Sequence, residues 1–373
     1  MTLKKNSSTS AKDTQLLTVF KAHFSGHLNL ARIRLICLFI NALCKVKSVN
    51  YVKLSAGFDT SVGASSSYRR IQRFMALADL SMLWVAKLIF SLLPEKEALV
   101  LSMDRTNWKF GNKNINILML GVSYKNVAFP IMFKMLDKRG NSNTAERIEL
   151  VQDFIDCFGK DCIDCLLADR EFVGEKWLHF LNVNSIRYFI RIRNNFKIYC
   201  PKKQKEITAR HLFHNLKIGE LRHYPKIEKM HGEYCYLSGT KSIKDGKVDF
   251  CIIVSFNKPD KALEYYSKRW QTSLPAGVET LFRALKTSGF NLEDTHVTHP
   301  VRLENLILLL MIAFVWCYKI GDFIDEHIKA IKIEKYGRRA ISVFRYGFDY
   351  LSRCLLSGTN KYNIKLFQFL SCT

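Results

Sequence analysis

The chain has 373 residues, long enough to bury a large core and, at ordinary domain size, to form two or three domains. Its 57 Lys and Arg against 33 Asp and Glu leave a formal net charge of +24, which excludes a cationic ligand as the default partner and points to a polyanion, either nucleic acid or an anionic membrane surface. Membrane attachment is not expected: Met1–Asp13 is polar without an apolar signal core, and the longest apolar run, Leu306–Cys317, is too short to span a bilayer. Eleven unevenly spaced cysteines in a chain without a secretion signal imply reduced thiols and a cytoplasmic location. Cys157, Cys162 and Cys165 are close enough for a metal knuckle, but no second Cys or His pair stands at zinc-site spacing, so core thiols are expected there.

Residues 1–13, rich in Lys, Ser and Thr, read as a disordered tail. From Leu16 to about Leu93 the apolar spacing is helical. One strongly apolar helix holds Leu28, Ile33, Leu35, Ile36, Phe39 and Leu43, capped by Asn29 or starting nearer Gly26. A polar loop, Gly57–Ser67, offers Ser65, Ser66 and Ser67 as caps for a helix carrying Tyr68, Arg69, Arg70 and Arg73. A basic helix after a turn is compatible with a helix-turn-helix element, with a charged outer face as the alternative. Leu80–Leu93 reads as another buried helix.

The period then changes. Ala98–Asp104, Ile115–Tyr124 and Val127–Met135 are apolar runs with turn material between them, the pattern of a three-strand meander. A helix is expected over Asn143–Phe158, a strand over Ile163–Ala168, a helix from Glu175 or Lys176, and a strand over Ile186–Ile192. Between about Asn194 and Lys258 the chain breaks into short strands, Phe196–Tyr199, Gly219–His223, Tyr234–Leu237 and Val248–Val254, punctuated by Gly239, Asp245-Gly246 and Pro259.

Two apolar strands end in an acid, Asp104 after Leu99–Met103 and Asp169 after Leu166–Ala168. Carboxylates at strand ends can converge, and Mg²⁺ wants few oxygen ligands of this type, with phosphate and water completing its shell. Two such ions can activate water and stabilise the leaving oxygen of a phosphodiester. Further on, Val278, Leu281, Phe282 and Leu285 form the apolar stripe of a helix that carries Glu279, Arg283 and Lys286 on another face. Glu279 and Lys286, seven apart, fall about 20° short of two full turns and so project the same way. Just upstream, Tyr266, Arg269 and Trp270 supply a hydroxyl, a bidentate phosphate fork and an aromatic plane.

The segments Leu101-Ser-Met-Asp104-Arg-Thr-Asn-Trp108, Ala168-Asp169-Arg-Glu-Phe172 and Tyr266-x2-Arg269…Glu279-x6-Lys286 resemble the DDE transposases of bacterial insertion sequences, above all the insertion-sequence-four family with its Tyr-x2-Arg-x3-Glu-x6-Lys signature. The resemblance covers about Leu99 to Thr295. It implies an α/β fold: an RNase H-like catalytic domain (96–193 and 259–330) interrupted by a β-rich insertion (194–258). A helical DNA-binding region (1–95) would precede it and C-terminal helices (331–373) follow. It also implies that Asp104, Asp169 and Glu279 bind two Mg²⁺ ions, with Mn²⁺ as a possible substitute, and that Tyr266, Arg269, Trp270 and Lys286 contact DNA. The implied partners are double-stranded DNA, at transposon ends and target, and a second copy pairing two ends, in the bacterial cytoplasm at the nucleoid. Two rival readings keep the same residues: a metal-dependent nuclease without strand transfer, and a DNA-binding remnant whose catalysis has lapsed.

The remnant reading rests on one departure. The signature places three residues between Arg and Glu, whereas nine lie between Arg269 and Glu279. Removing Thr272–Gly277 restores the pattern, and Pro275 breaks any helix running through the segment. Glu279 is then expected in the first turns of a restarted helix. Deleting Thr272–Gly277 is expected to raise transposition activity at least about tenfold, or roughly 1.4 kcal/mol in the barrier. A deletion variant that folds normally and is no more active than the parent would make the hexapeptide a native part of the site.

Overall fold

The computed structural model describes residues 7–110, 113–125, 127–200, 204–230, 232–244, 246–256, 259–267 and 278–371. In chain order, helices α1 (Ser7–Phe24), α2 (Leu30–Val46), α3 (Tyr51–Ala56), α4 (Ala64–Leu77) and α5 (Met82–Ser91) come first. Strands β1 (Leu99–Phe110), β2 (Lys113–Tyr124) and β3 (Val127–Met135) follow, then α6 (Thr144–Phe158), β4 (Ile163–Ala168), α7 (Glu175–Val183) and β5 (Tyr188–Ile192). Next are β6 (Lys197–Cys200), β7 (Lys205–Thr208), α8 (Ala209–Phe213), β8 (Leu221–Met230), β9 (Glu233–Lys244) and β10 (Lys247–Ser255). Helices α9 (Ala262–Ser267), α10 (Val278–Leu285), α11 (Pro300–His327) and α12 (Val343–Ser357) complete a mixed α/β fold. The chain divides into two compact units: Met1–Pro94, Trp108–Ile115 and Glu279–Thr373 form one, and Glu95–Asn107 with Asn116–Val278 the other.

The first unit is helical. Asn29 caps α2, its side-chain oxygen accepting the Arg32 N–H at 2.9 Å, and Ile33, Ile36, Phe39 and Leu43 face inward. Helix α11 begins with Pro300 in its first turn, where the missing N–H costs nothing. It is apolar on every side, and such a helix must be enclosed; α2, α4, α5 and α12 pack around it. Asn305 donates to the carbonyls of Met75 and Ala78 at the end of α4, and Trp316 donates to the Leu366 carbonyl at 2.8 Å. The early and late helices therefore share one core, where separate regions 1–95 and 331–373 were expected.

Three further expectations need correction here. The polar stretch 1–13 is not all tail, since α1 starts at Ser7; Ser, Thr and Asp depress helix propensity only weakly once a longer helix continues beyond them. Ser65–Ser67 do not cap α4, whose cap position is held by Gly63 without a side-chain bond. The run Leu306–Cys317 is only the centre of α11, which by length and composition is long enough to cross a membrane. Here 83 % of its apolar window is buried within the protein, the position of a core helix.

The second unit is built on a ten-stranded sheet of order β3-β2-β1-β4-β5-β10-β9-β8-β6-β7. The expected meander forms its β3-β2-β1 end. β1, β4 and β5 run parallel, with the intervening α6 opened by a capping box between Asn143 and Glu146. The β-rich stretch is present as β6–β10, but it does not stand apart: β10 adds antiparallel to β5 and so covers an edge that would otherwise be left unpaired. β7 and α8 escaped the sequence reading because Lys205–Thr208 lacks an apolar alternation.

The helical unit depends on a close crossing of α11 and α12. A Cβ on Gly347 would run into the carbonyl oxygen of Cys317, and one on Gly321 into that of Val343. Gly347→Ala must push the two helices apart, and overpacking of this kind costs about 1–3 kcal/mol. Chemical denaturation of the variant is expected to show a loss of that size, whereas Gly26→Ala, in open space, provides the control.

Candidate active site

The parallel pairing of β1 with β4 is in register over Val100↔Cys165, Leu101↔Leu166, Ser102↔Leu167 and Met103↔Ala168. The next residues on the two strands are Asp104 and Asp169, immediately past the last paired positions, so the two acids lie at the same end of the sheet. Both are half-buried, and each turns one carboxylate oxygen onto the N–H of the following residue: Arg105 N–H to Asp104 Oδ1 at 2.7 Å, Arg170 N–H to Asp169 Oδ1 at 2.8 Å. One expectation is corrected here. Asp169 does end its strand, but β1 runs on past Asp104 to Phe110, because it stays in the sheet beside β2. Asp104 marks the point where β1 leaves β4.

Asp169 has two more neighbours on its face of the sheet. Ala168 pairs with Ile190 of β5, which puts Arg191 at the level of the two acids. Tyr266 comes from α9, packed on β5 and β10 in a cluster with Cys165, Leu167, Phe189, Ile253 and Ala262. The Tyr266 ring is 4 % exposed, and its hydroxyl donates to Asp169 Oδ1 at 3.4 Å. Arg191 pairs with Asp249 at 3.3 Å. Burial alone would lower the Arg191 guanidinium, but Cys251, Tyr266, Asp249 and Asp169 around it outweigh burial and hold its pKa raised. Burial likewise pushes the Cys251 thiol up, so that it stays protonated.

A second brace ties the residues after the two acids together. Arg105 reaches Glu171 through Nε–Oε1 at 3.0 Å and Nη2–Oε2 at 3.3 Å. It also donates to Asn116 Oδ1 at 3.1 Å and Asn141 Oδ1 at 3.3 Å. Asn116 in turn donates to the carbonyls of Lys138 and Gly140. The bidentate fork therefore links the residue after Asp104 to the second residue after Asp169, and fixes the course of both. Sequence reasoning missed Arg105, Glu171 and Arg191; an arginine one residue after Asp104 and an acid two residues after Asp169 were the local signal for the fork.

The remaining expected residues fall elsewhere. Glu279 belongs to the helical unit, half-buried in the first turn of α10, and the stripe Val278, Leu281, Phe282 and Leu285 is buried as read. Lys286 pairs with Glu293 at 2.9 Å and lies 5.2 Å above the Trp108 ring. Arg269, Trp270 and the hexapeptide Thr272–Gly277 lie outside the described residues. Among the described residues no three His, Cys, Asp or Glu side chains are gathered to hold a metal. Cys157, Cys162 and Cys165 are free thiols, Cys162 donating to the Gly159 carbonyl. What the sheet unit offers a metal is the Asp104–Asp169 pair: adjacent, half-buried carboxylates whose hard oxygens suit Mg²⁺ better than a soft-ligand metal.

Residues 97–316 match the family model described as Transposase DDE domain. The chain belongs to this family, and the protein is by family a transposase. No curated protein matches the chain. Among solved structures, the piggyBac transposase synaptic complex with hairpin DNA, determined by cryo-EM, is similar at 12 % identity with a TM-score of 0.45, over 96 % of this chain and 80 % of that one.

The Arg105–Glu171 fork is largely shielded, with side-chain exposures of 13 % and 21 %. Removing one partner leaves the other poorly paired, which for a charged group costs about 1–3 kcal/mol. Arg105→Met and Glu171→Gln are each expected to lose that much in a denaturant melt. The double variant should lose clearly less than the sum; simple additivity would show that the fork does not link β1 to the loop after β4.

Proposed function

We propose that this protein is a transposase of the insertion-sequence-four type, which binds the terminal inverted repeats of a mobile element, cleaves the DNA there and joins the freed ends to a target. The observation that carries the reading is that Asp104 and Asp169 follow the last paired residues of parallel strands β1 and β4 in a chain of the transposase DDE family. The strand order β3-β2-β1-β4-β5, antiparallel at β2–β3 and parallel at β1, β4 and β5, supports an RNase H-like catalytic core.

In this reading Asp104 and Asp169 present the oxygens that hold divalent metal, and Glu279, by its place in the signature, supplies a third ligand. Mg²⁺, with Mn²⁺ as a substitute, would polarise the attacking water and neutralise charge on the leaving oxygen. Tyr266 holds the Asp169 carboxylate in one orientation. Arg191 keeps a fixed positive charge beside it, suited to a phosphate. The chain supplies no covalent nucleophile in this scheme, so positioning and charge neutralisation carry the rate. A 3′-hydroxyl freed by hydrolysis then attacks target DNA in the same site.

DNA binding is assigned to Arg269, Trp270, Lys286 and the exposed side of α4, where Arg69, Gln72 and Arg73 face solvent after the α3–α4 turn. Lys286 meets a phosphate by exchanging its partner Glu293, a partly exposed pair worth little to stability. The active form is a homodimer pairing two transposon ends, acting at the bacterial nucleoid.

Asp104→Ala, Asp169→Ala and Glu279→Ala are each expected to abolish Mg²⁺-dependent nicking and joining of end DNA taken from the inverted repeats beside the gene. Binding of that DNA should be retained or tightened, because each variant removes a negative charge near the phosphates. Cleavage at the parental rate by any one variant removes that residue from the site.

A further inference from the structure

The hairpin formed by β9 and β10 carries features that neither the core nor the acid pair uses. Gly246, just before β10, has φ 72°, a backbone that favours glycine in tight hairpin turns. β10 pairs with β5 only over Ile252–Ser255. Lys247–Cys251, paired with Thr240–Lys244, therefore run on past Ile192, in the direction in which β4 ends and Asp169 follows. At the rise of a strand these five residues extend the hairpin about 17 Å beyond β5.

At its tip one cross-strand pair leaves apolar surface in water and the next sets like charges opposite each other. Ile243 and Val248 face each other on one side and are 57 % and 50 % exposed. Lys244 and Lys247 face each other on the other side, both exposed, and like charges directly opposite are destabilising. Duplex DNA relieves both at once. Its phosphates neutralise the lysines, and its grooves accept a two-stranded ribbon or an apolar wedge flanked by basic residues. A second copy docked symmetrically on this tip would cover the apolar pair but bring four lysines together, on a chain already at +24.

We propose that the β9–β10 hairpin is an arm that enters a groove of the duplex flanking the strand held at Asp104 and Asp169. Lys244 and Lys247 contact phosphates, and Ile243 and Val248 pack against the groove. The inference rests on the reading of DNA as substrate and adds a contact outside the acid pair and the signature residues.

The test uses the full chain and a short random-sequence duplex, with binding measured across a salt series. Lys244→Gln/Lys247→Gln is expected to weaken binding and flatten the log–log salt slope by about two, roughly 0.9 for each phosphate released. Ile243→Ser/Val248→Ser is expected to weaken binding at an unchanged slope. Both substitute exposed residues, so melting temperatures should match the parent. Parental affinity and slope in both variants overturn the arm, as does a parental dimer that either variant dissociates in sedimentation, which would make the hairpin an interface between copies. A parent chain that binds no duplex at any salt overturns the substrate reading itself, and the arm with it.

Discussion

Two neighbouring carboxylates set the electrostatic problem of the sheet unit. The parallel register that aligns Met103 with Ala168 brings Asp104 and Asp169, the next residue on each strand, to the same end of the sheet. Like-charged groups gathered there repel one another more strongly than they would in water. Backbone N–H groups, the Tyr266 hydroxyl and the Arg191 guanidinium all lie where they offset that repulsion. A hydrogen-bond donor or a fixed cation can soften the repulsion, but a divalent ion removes it. In the proposed reading such an ion would bind here, and the cost of assembling the pair would be met by folding before substrate arrives.

The surrounding braces make sense against that strain. Arg105 on β1 and Glu171 in the loop after β4 tie together the segments that follow the two acids, and Asn116 anchors the same guanidinium to the chain after β3. Tyr266 fixes one acid from the opposite direction, through a helix seated on the strands that carry Arg191 and Ile253. Catalytic geometry fails at offsets near 1 Å, so a carboxylate pair under repulsion needs support from more than its own strands.

Much of this could be read from the chain alone. Asp104 and Asp169 are legible because each interrupts a run of apolar residues, a strictly local signal. The meander, the capping residue Asn29, and the buried stripe of α10 are local in the same sense. Arg191 was not legible: nothing near it in sequence marks it, and it comes to the level of Asp169 only because β5 pairs in one particular register. The Arg105–Glu171 fork spans 66 residues, and the continuation of the sheet from β5 into β10 joins segments about 60 residues apart. The β-rich stretch looked like a separate body because sequence shows strands, not the edge to which they add. Likewise α11 was read as a short apolar run because its polar ends dilute the pattern, and only its neighbours reveal what encloses it.

The helical unit draws its core from α2, α4 and α5 near one end of the chain and from α11 and α12 near the other. During synthesis the early helices emerge long before the partners that cover their apolar faces. They must wait, exposed, until about 200 further residues have been added, and at ordinary elongation rates that interval lasts on the order of ten seconds or more. The sheet unit, contiguous but for residues 108–115, can form meanwhile. The order of maturation is thus the reverse of the order of synthesis for the first ninety residues. A nonsense or frameshift product ending before α11 would leave the α4 surface, with its arginines, on helices that have no core to hold them.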